Sequence, residues 1–299
     1  IIRSDTNMDW IGKYQHTLQQ NSKSKNTIES YISDIKEFLD WFKNTYAKDF
    51  DGKILEQDVR EYRNYLLNIQ KLKPVSINRK MAALKNFNLF LIGIGVGIET
   101  EIRGISVADA NDREIKTIDR NELNRLKRAV YTNGNKRDIA LLELLISTGV
   151  RVSELVSLTI QDIHLTERNG SQNYSYIVVR NGKGGKYREI PLNSKAKKAL
   201  EEYLAIRGLS QYDRVFIGQR GPLRRETIDK IIKKYCRLAG IEKISAHVLR
   251  HTFCTRLMAE NMPIPVISKL AGHSSIQTTM NFYVHVTRKD KINAVEKLT

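Results

Sequence analysis

Apolar residues recur at helical spacing through most of the chain and alternate at strand spacing in one short stretch. From Asp9 to about Ile92 the pattern predicts four helices. The first carries Trp10, Ile11, Tyr14 and Leu18, and the polar run Gln19 to Asn26 after it predicts a loop. The second bears a continuous stripe of Ile28, Tyr31, Ile32, Ile35, Phe38, Leu39 and Phe42, and Asn26 with Glu29 resembles a capping box at its start. Val59, Tyr62, Leu66 and Ile69 predict a third helix over about 56–70. Ile77, Met81, Leu84, Phe87 and Phe90 predict a fourth over 76–91. Helices of this length bury their stripes only against one another, so a small four-helix bundle is expected. Gly93, Gly95 and Gly97 follow no strand and fit no phosphate-binding fingerprint, and they read as the frayed end of the fourth helix.

The polar stretch from Gly104 to Lys116 interrupts the pattern, placing a helical domain at 1–108, a linker at 109–117 and a second domain at 118–299. The second domain opens on another capping pair, Asp119 and Glu122, ahead of Leu123, Leu126 and Val130. Ile139, Leu142, Leu145 and Ile146 predict a helix that stops at Gly149, and Arg151 begins a further turn, RVSEL. Two β-rich runs within Tyr174 to Leu192, YSYIVV and YREIPL, flank NGKGGK and predict a hairpin with Lys183 at its tip. Helices at 194–207 and 227–239 follow, with Val215 and Phe216 as a short strand between them. The fold class is therefore mainly α: an N-terminal four-helix bundle and a mixed α+β domain with a small hairpin.

Composition narrows the partners. A hydrophobic share of 41% suits a globular protein, and 50 Lys and Arg against 33 Asp and Glu give a formal charge of +17, which favours a polyanion, nucleic acid first. In the first half Lys23, Lys25, Lys71, Lys73, Arg79, Lys80 and Lys85 gather at loops and on the polar face of the fourth helix, where they could follow a phosphate backbone or simply form a wet face. The longest apolar runs, Phe87 to Ile98 and Ala140 to Val150, are too short for a bilayer span. Cys236 and Cys254 show no metal-ligand spacing and read as core thiols of a cytoplasmic protein. No signal peptide opens the chain, but its start at Ile1 and not at Met leaves room for a further N-terminal module.

Candidate chemistry concentrates between Ala246 and Tyr283. His247 and Arg250 share a helix face, His251 adjoins them, His273 follows Gly272, and Tyr283 ends the strip. No Ser-His-acid arrangement and no acidic metal-binding spacing accompanies them, so phosphate chemistry fits better than acyl transfer. Upstream, Arg151 and Glu154 stand three apart, as either an ordinary ion pair or a carboxylate that orients a guanidinium. Lys183 reads as either a solvated turn residue or a mobile proton donor, with Lys186 on the same hairpin as its alternative.

TGVRVSEL, NGKGGKYREIPL, HVLRHTF, LAGHSS and NFYVHV, in that order, resemble the motif set of tyrosine recombinases from about Asp119 to Thr287. The preceding bundle is similar to the core DNA-binding domain of that family in architecture only. The interval from His273 to Tyr283 resembles the conjugative-transposon integrases more than the Xer recombinases. The resemblance implies Tyr283 as nucleophile, Arg151 and Arg250 as the pair gripping the scissile phosphate, Lys183 as general acid, His247 as general base and His273 as a phosphate contact. Glu154 and His251 would support them. It also implies double-stranded DNA with a specific site as partner, no cofactor and no metal. A homotetramer would form on DNA from a dimer per site, with a C-terminal tail docked on a neighbouring protomer, through a 3′-phosphotyrosine and a Holliday junction. The setting would be a mobile element in a bacterium, in integration, excision or resolution. A type IB topoisomerase-like nicking and resealing enzyme, or a DNA-binding protein that does not cleave, are the competing readings.

Overall fold

The computed structural model describes residues 9–106, 116–169, 172–180, 187–208, 210–273 and 275–280. The chain divides into two compact units between Asp112 and Arg113. Its make-up is mostly helix with a small antiparallel sheet.

The first unit is built from α1 (Trp10–Gln20), α2 (Lys25–Tyr46), α3 (Glu56–Asn64), a π-helical turn over Tyr65–Ile69, and α4 (Pro74–Gly93). The stripes meet in one core in which Tyr14, Phe38, Tyr62 and Phe87 are fully or almost fully buried, and the rings of Phe38 and Tyr62 meet edge-on with centroids 5.2 Å apart. Two sequence expectations change here. Ser24, not Asn26, caps α2: its hydroxyl accepts from the Thr27 N–H at 3.2 Å, because Ser24 is extended while Asn26 already lies inside the helix. The end of α4 is not frayed, since the Val96 and Gly97 N–H groups both donate to the Leu91 carbonyl, at 3.0 and 2.9 Å, folding the chain back on the helix.

Lys80 also departs from expectation. It is 7% exposed and its ammonium donates to Asp34 at 3.1 Å and Glu37 at 2.7 Å, tying α4 to α2. A buried cation requires such partners, so Lys80 is a strut of the bundle and not a phosphate contact. Arg79 pairs with the other oxygen of Asp34 yet stays exposed. Lys23, Lys25, Lys71, Lys73 and Lys85 are exposed.

The second unit starts with α5 (Arg120–Asn133), whose capping box is present: Glu122 N–H donates to Asp119 at 2.8 Å and Asp119 N–H to Glu122 at 3.1 Å. α6 (Lys136–Thr148) is buried almost all round and forms the spine of the core, as a helix lacking a polar face must. Its one buried acid in mid-helix, Glu143, accepts from Lys127 at 2.9 Å and from the Tyr131 hydroxyl at 3.2 Å. α7 (Val152–Ser157) leads through a 3-10 turn into β1 (Ile163–Asn169), β2 (Gln172–Val179) and β3 (Arg188–Pro191), an antiparallel sheet in the order β1-β2-β3. The expected hairpin is β2–β3, with Ile177 opposite Ile190 and Val179 opposite Arg188.

The third strand, β1, was absent from the sequence expectation because IHLTERN lacks a clear apolar alternation. α8 (Ser194–Arg207) follows, then a tiny hairpin of β4 (Ile217–Gly218) and β5 (Gly221–Pro222). Val215 and Phe216 are buried but precede the strand: the Val215 N–H donates to the Leu158 carbonyl, so the pair plugs the core where a strand was expected. α9 (Arg225–Leu238), α10 (Ala246–Ala259), α11 (Ile264–Ala271) and α12 (Ile276–Met280) complete the unit. Among the described residues no helix is long and apolar enough to cross a membrane.

Candidate active site

The site begins where α6 stops. Gly149 adopts φ +61°, in the left-handed region, and a Cβ there would run into the Phe253 ring. The chain reverses at that point, and Arg151 becomes the N-cap of α7. Its backbone N–H donates to Glu154 Oε2 at 2.8 Å, the reciprocal half of a capping box, and its Nη1 donates to Oε1 at 2.9 Å. Its Nη2 donates to the Gly272 carbonyl at 2.7 Å, immediately before His273.

Glu154 is 4% exposed and serves a second arginine. Arg188 on β3 forks onto it, Nη1 to Oε1 at 3.0 Å and Nη2 to Oε2 at 2.8 Å, while Arg188 Nε donates to the Leu270 carbonyl at 3.0 Å. Burial by itself would raise the Glu154 carboxyl, but the bonds from Arg188 and Arg151 outweigh it and hold the group below the ordinary carboxylate range. Sequence reasoning missed Arg188. The available signal was parity: it shares the inward-facing phase of β3 with the buried Ile190, an unusual place for a cation.

Arg250, on α10, is 3% exposed. Its Nη1 donates to the Gly149 carbonyl at 2.6 Å, while its Nη2, also buried, has no hydrogen-bond partner among the described residues. Burial and the like charge of Arg151 lower its pKa to about 10, which still leaves it protonated at neutral pH.

His247 and His251 meet edge-on one helical turn apart, with ring centroids 4.0 Å apart. Burial first, then Arg250, Arg151 and Arg225, lower the His247 pKa. Burial likewise depresses His251 to about 4, helped by His247, Arg250 and His273. His273 falls to about 4 through burial and then Arg250, Arg151, Arg188 and His247. All three imidazoles are therefore neutral at neutral pH. His273 Nδ1 also bonds the hydroxyl of Thr279 at 2.7 Å, and Thr279, another residue sequence reasoning missed, is wholly buried on α12.

Arg151, Glu154, His247, Arg250, His251 and His273 thus come together from α7, α10 and the α11–α12 turn. Lys183, Lys186 and Tyr283 lie outside the described residues. Among the described residues one carboxylate, Glu154, pairs with Arg151 and Arg188 near a third guanidinium, Arg250, whose Nη2 is unpartnered. A buried cation with an unused donor favours an anionic ligand. Among the described residues no cluster of three or more His, Cys, Asp or Glu could hold a metal ion.

Comparison with known proteins decides the family. The phage integrase family pattern matches residues 116–290, and that of the phage integrase N-terminal SAM-like domain matches residues 10–89. The chain belongs to the phage integrase family. Its members are the tyrosine recombinases, a class of enzymes for site-specific recombination. A TnP I resolvase of Bacillus thuringiensis is 33% identical over 97% of this chain and 100% of its own length. The tyrosine recombinase XerD of Vibrio cholerae is 34% identical over 88% of this chain and 86% of its own.

Among solved structures, XerH bound to its difH substrate in a pre-cleavage complex has a TM-score of 0.71 at 20% identity, covering 96% of this chain and 94% of that one. The Tn1549 transposon integrase in complex with transposon right end DNA also reaches 0.71 at 20% identity, covering 97% and 99%. Both likenesses concern the fold, and being equal they favour neither the Xer nor the transposon style.

Proposed function

We propose that this family member cleaves and rejoins double-stranded DNA at a specific site through a covalent 3′-phosphotyrosine on Tyr283, on behalf of a bacterial mobile element. The supporting observation is Arg250: a buried guanidinium whose Nη2 has no hydrogen-bond partner among the described residues, beside an Arg151 aimed by Glu154. Two fixed planar cations suit the non-bridging oxygens of a phosphodiester and the added charge of a five-coordinate transition state.

In the forward step the Tyr283 phenolate oxygen bonds to phosphorus and the bond to the 5′ oxygen breaks. The phenol's proton passes to His247, whose depressed pKa keeps it neutral and able to accept. Lys183 supplies the proton taken by the departing 5′ oxygen. His273 would donate to a non-bridging oxygen. The new ester keeps the phosphodiester's energy, so a 5′ hydroxyl from another strand reverses the step without ATP or metal. Four protomers on two sites would do so in pairs through a Holliday junction, each C-terminal tail docking on its neighbour. Lys23, Lys25, Lys71, Lys73, Arg79 and Lys85 would hold the backbone of bacterial cytoplasmic DNA, and Lys186 would assist near the hairpin.

The test uses a nicked suicide duplex carrying DNA from beside the encoding gene, in EDTA. A denaturation-resistant protein–DNA adduct that disappears in Tyr283→Phe, while binding persists, is the expected result. A bound duplex that yields no adduct would sink the proposal.

A further inference from the structure

Arg188 lies at the crossing of three elements. Its guanidinium forks onto both oxygens of Glu154 from α7, donates to the Leu270 carbonyl at the end of α11, and is carried by β3. It is also packed against Gly272. That glycine has φ +67°, and a Cβ on it would lie 2.5 Å from Arg188 Cζ. The Gly272 carbonyl in turn accepts from Arg151 Nη2, and His273 is the next residue. The Arg188 side chain is only 12% exposed, and among the described residues its charge is held inside the unit by this one carboxylate and one carbonyl.

Two consequences follow from these contacts. Glu154 has two oxygens and receives four donors: the Arg151 backbone, Arg151 Nη1 and both Arg188 terminal nitrogens. Without Arg188 the carboxylate could swing to take Arg151 face-on, turning that guanidinium away from the position in which its Nη2 meets Gly272. The turn bearing His273 would lose the guanidinium packed beneath it as well. Charge matters too: Arg188 keeps the Arg151, Arg188 and Glu154 group at a net positive charge, whereas Glu154 with Arg151 alone would be neutral and a weaker lure for phosphate.

We propose that Arg188 is a positioning residue that sets Arg151 and His273 as one unit on the scissile phosphate, an inference that rests on the recombinase reading. Among the described residues its guanidinium bonds Glu154 and Leu270 and packs on Gly272, so it acts through Arg151 and His273. Neither a lysine, which lacks the planar fork, nor an apolar residue can replace it.

The experiment compares wild type, Arg188→Lys and Arg188→Met in single-turnover cleavage of a nicked suicide duplex, with site affinity measured on the same DNA. Each protein is also tested on a duplex whose scissile phosphate is a methylphosphonate, which lacks the non-bridging charge that Arg151 would grip. On the phosphodiester, cleavage in both variants should fall on the order of 100-fold, the usual penalty for a catalytic group displaced by about 1 Å, with affinity within about threefold. On the methylphosphonate the deficit should shrink to less than about tenfold, because the misplaced group is no longer needed there. Equal deficits on the two substrates in both variants would show a general structural defect and overturn the proposal, as would full activity in Arg188→Lys. Failure of wild type to form any adduct on bound DNA would instead strike the recombinase reading itself.

Discussion

Glu154 is a single carboxylate serving two arginines at the edge of a cluster that also holds Arg250. Replacing it by glutamine keeps the shape but leaves two guanidinium groups uncompensated. Breaking a buried pair from one side costs roughly 3 kcal/mol, and urea denaturation of Glu154→Gln should show a loss of that order, with slower cleavage. The histidines make a second prediction. His251 and His273 have folded pKa values of about 4, below the ordinary value near 6.5, so the unfolded chain takes up protons first as the pH falls. Their contribution to stability is complete above about pH 6.5 and is lost as the pH drops toward about 4. The urea midpoint of the free protein should therefore be lower at pH 5 than at pH 7. A midpoint unchanged over that interval would contradict the neutral, half-buried imidazoles. Bound phosphate should oppose the loss by favouring their charged forms.

The junction of α6 and α7 is the element on which the site turns. Gly149 ends α6 in a left-handed conformation, its carbonyl anchors Arg250, and the Phe253 ring occupies the space a side chain would need. In Gly149→Ala the conformation costs about 1–2 kcal/mol and displacing Phe253 another 1–3 kcal/mol or so. Chemical denaturation should show a loss of at least about 2 kcal/mol by these two effects together. A neutral result would mean that neither the turn nor the ring constrains the junction. Legibility also varied by element. α1, α2, α4 and α5 were readable because each is half-buried and leaves a periodic stripe. β1 was not, and neither was the two-residue β4, because their pairing is decided by neighbouring strands and not by their own alternation.

For the whole molecule, the charge of +17 predicts DNA affinity that falls steeply with salt. The lysines should divide into two groups. Lys73→Ala or Lys85→Ala, at exposed positions, should lower the salt slope by about one phosphate contact each without changing stability. Lys80→Met should leave the slope unchanged and alter the stability of the first unit, since its ammonium is spent on Asp34 and Glu37. Binding isotherms at several salt concentrations, with a melt of each variant, separate the groups. A reduced slope in Lys80→Met would return that residue to the DNA surface.

The sequence by itself determined the bundle, the capped start of α5 and the β2–β3 hairpin, and it put forward Arg151, His247, Arg250 and His273 as candidates, because periodicity, capping chemistry and motif order are local properties. Tertiary structure alone decided which cations are available. Lys80 and Arg79 are neighbours in sequence, yet one is buried between two carboxylates and the other exposed. It likewise decided that Arg188, marked in YREIPL only by sharing the strand phase of Ile190, meets the Glu154 of Arg151 across 34 positions of chain. Burial and pairing depend on what other elements bring to a residue, and that information is not contained in its own neighbourhood.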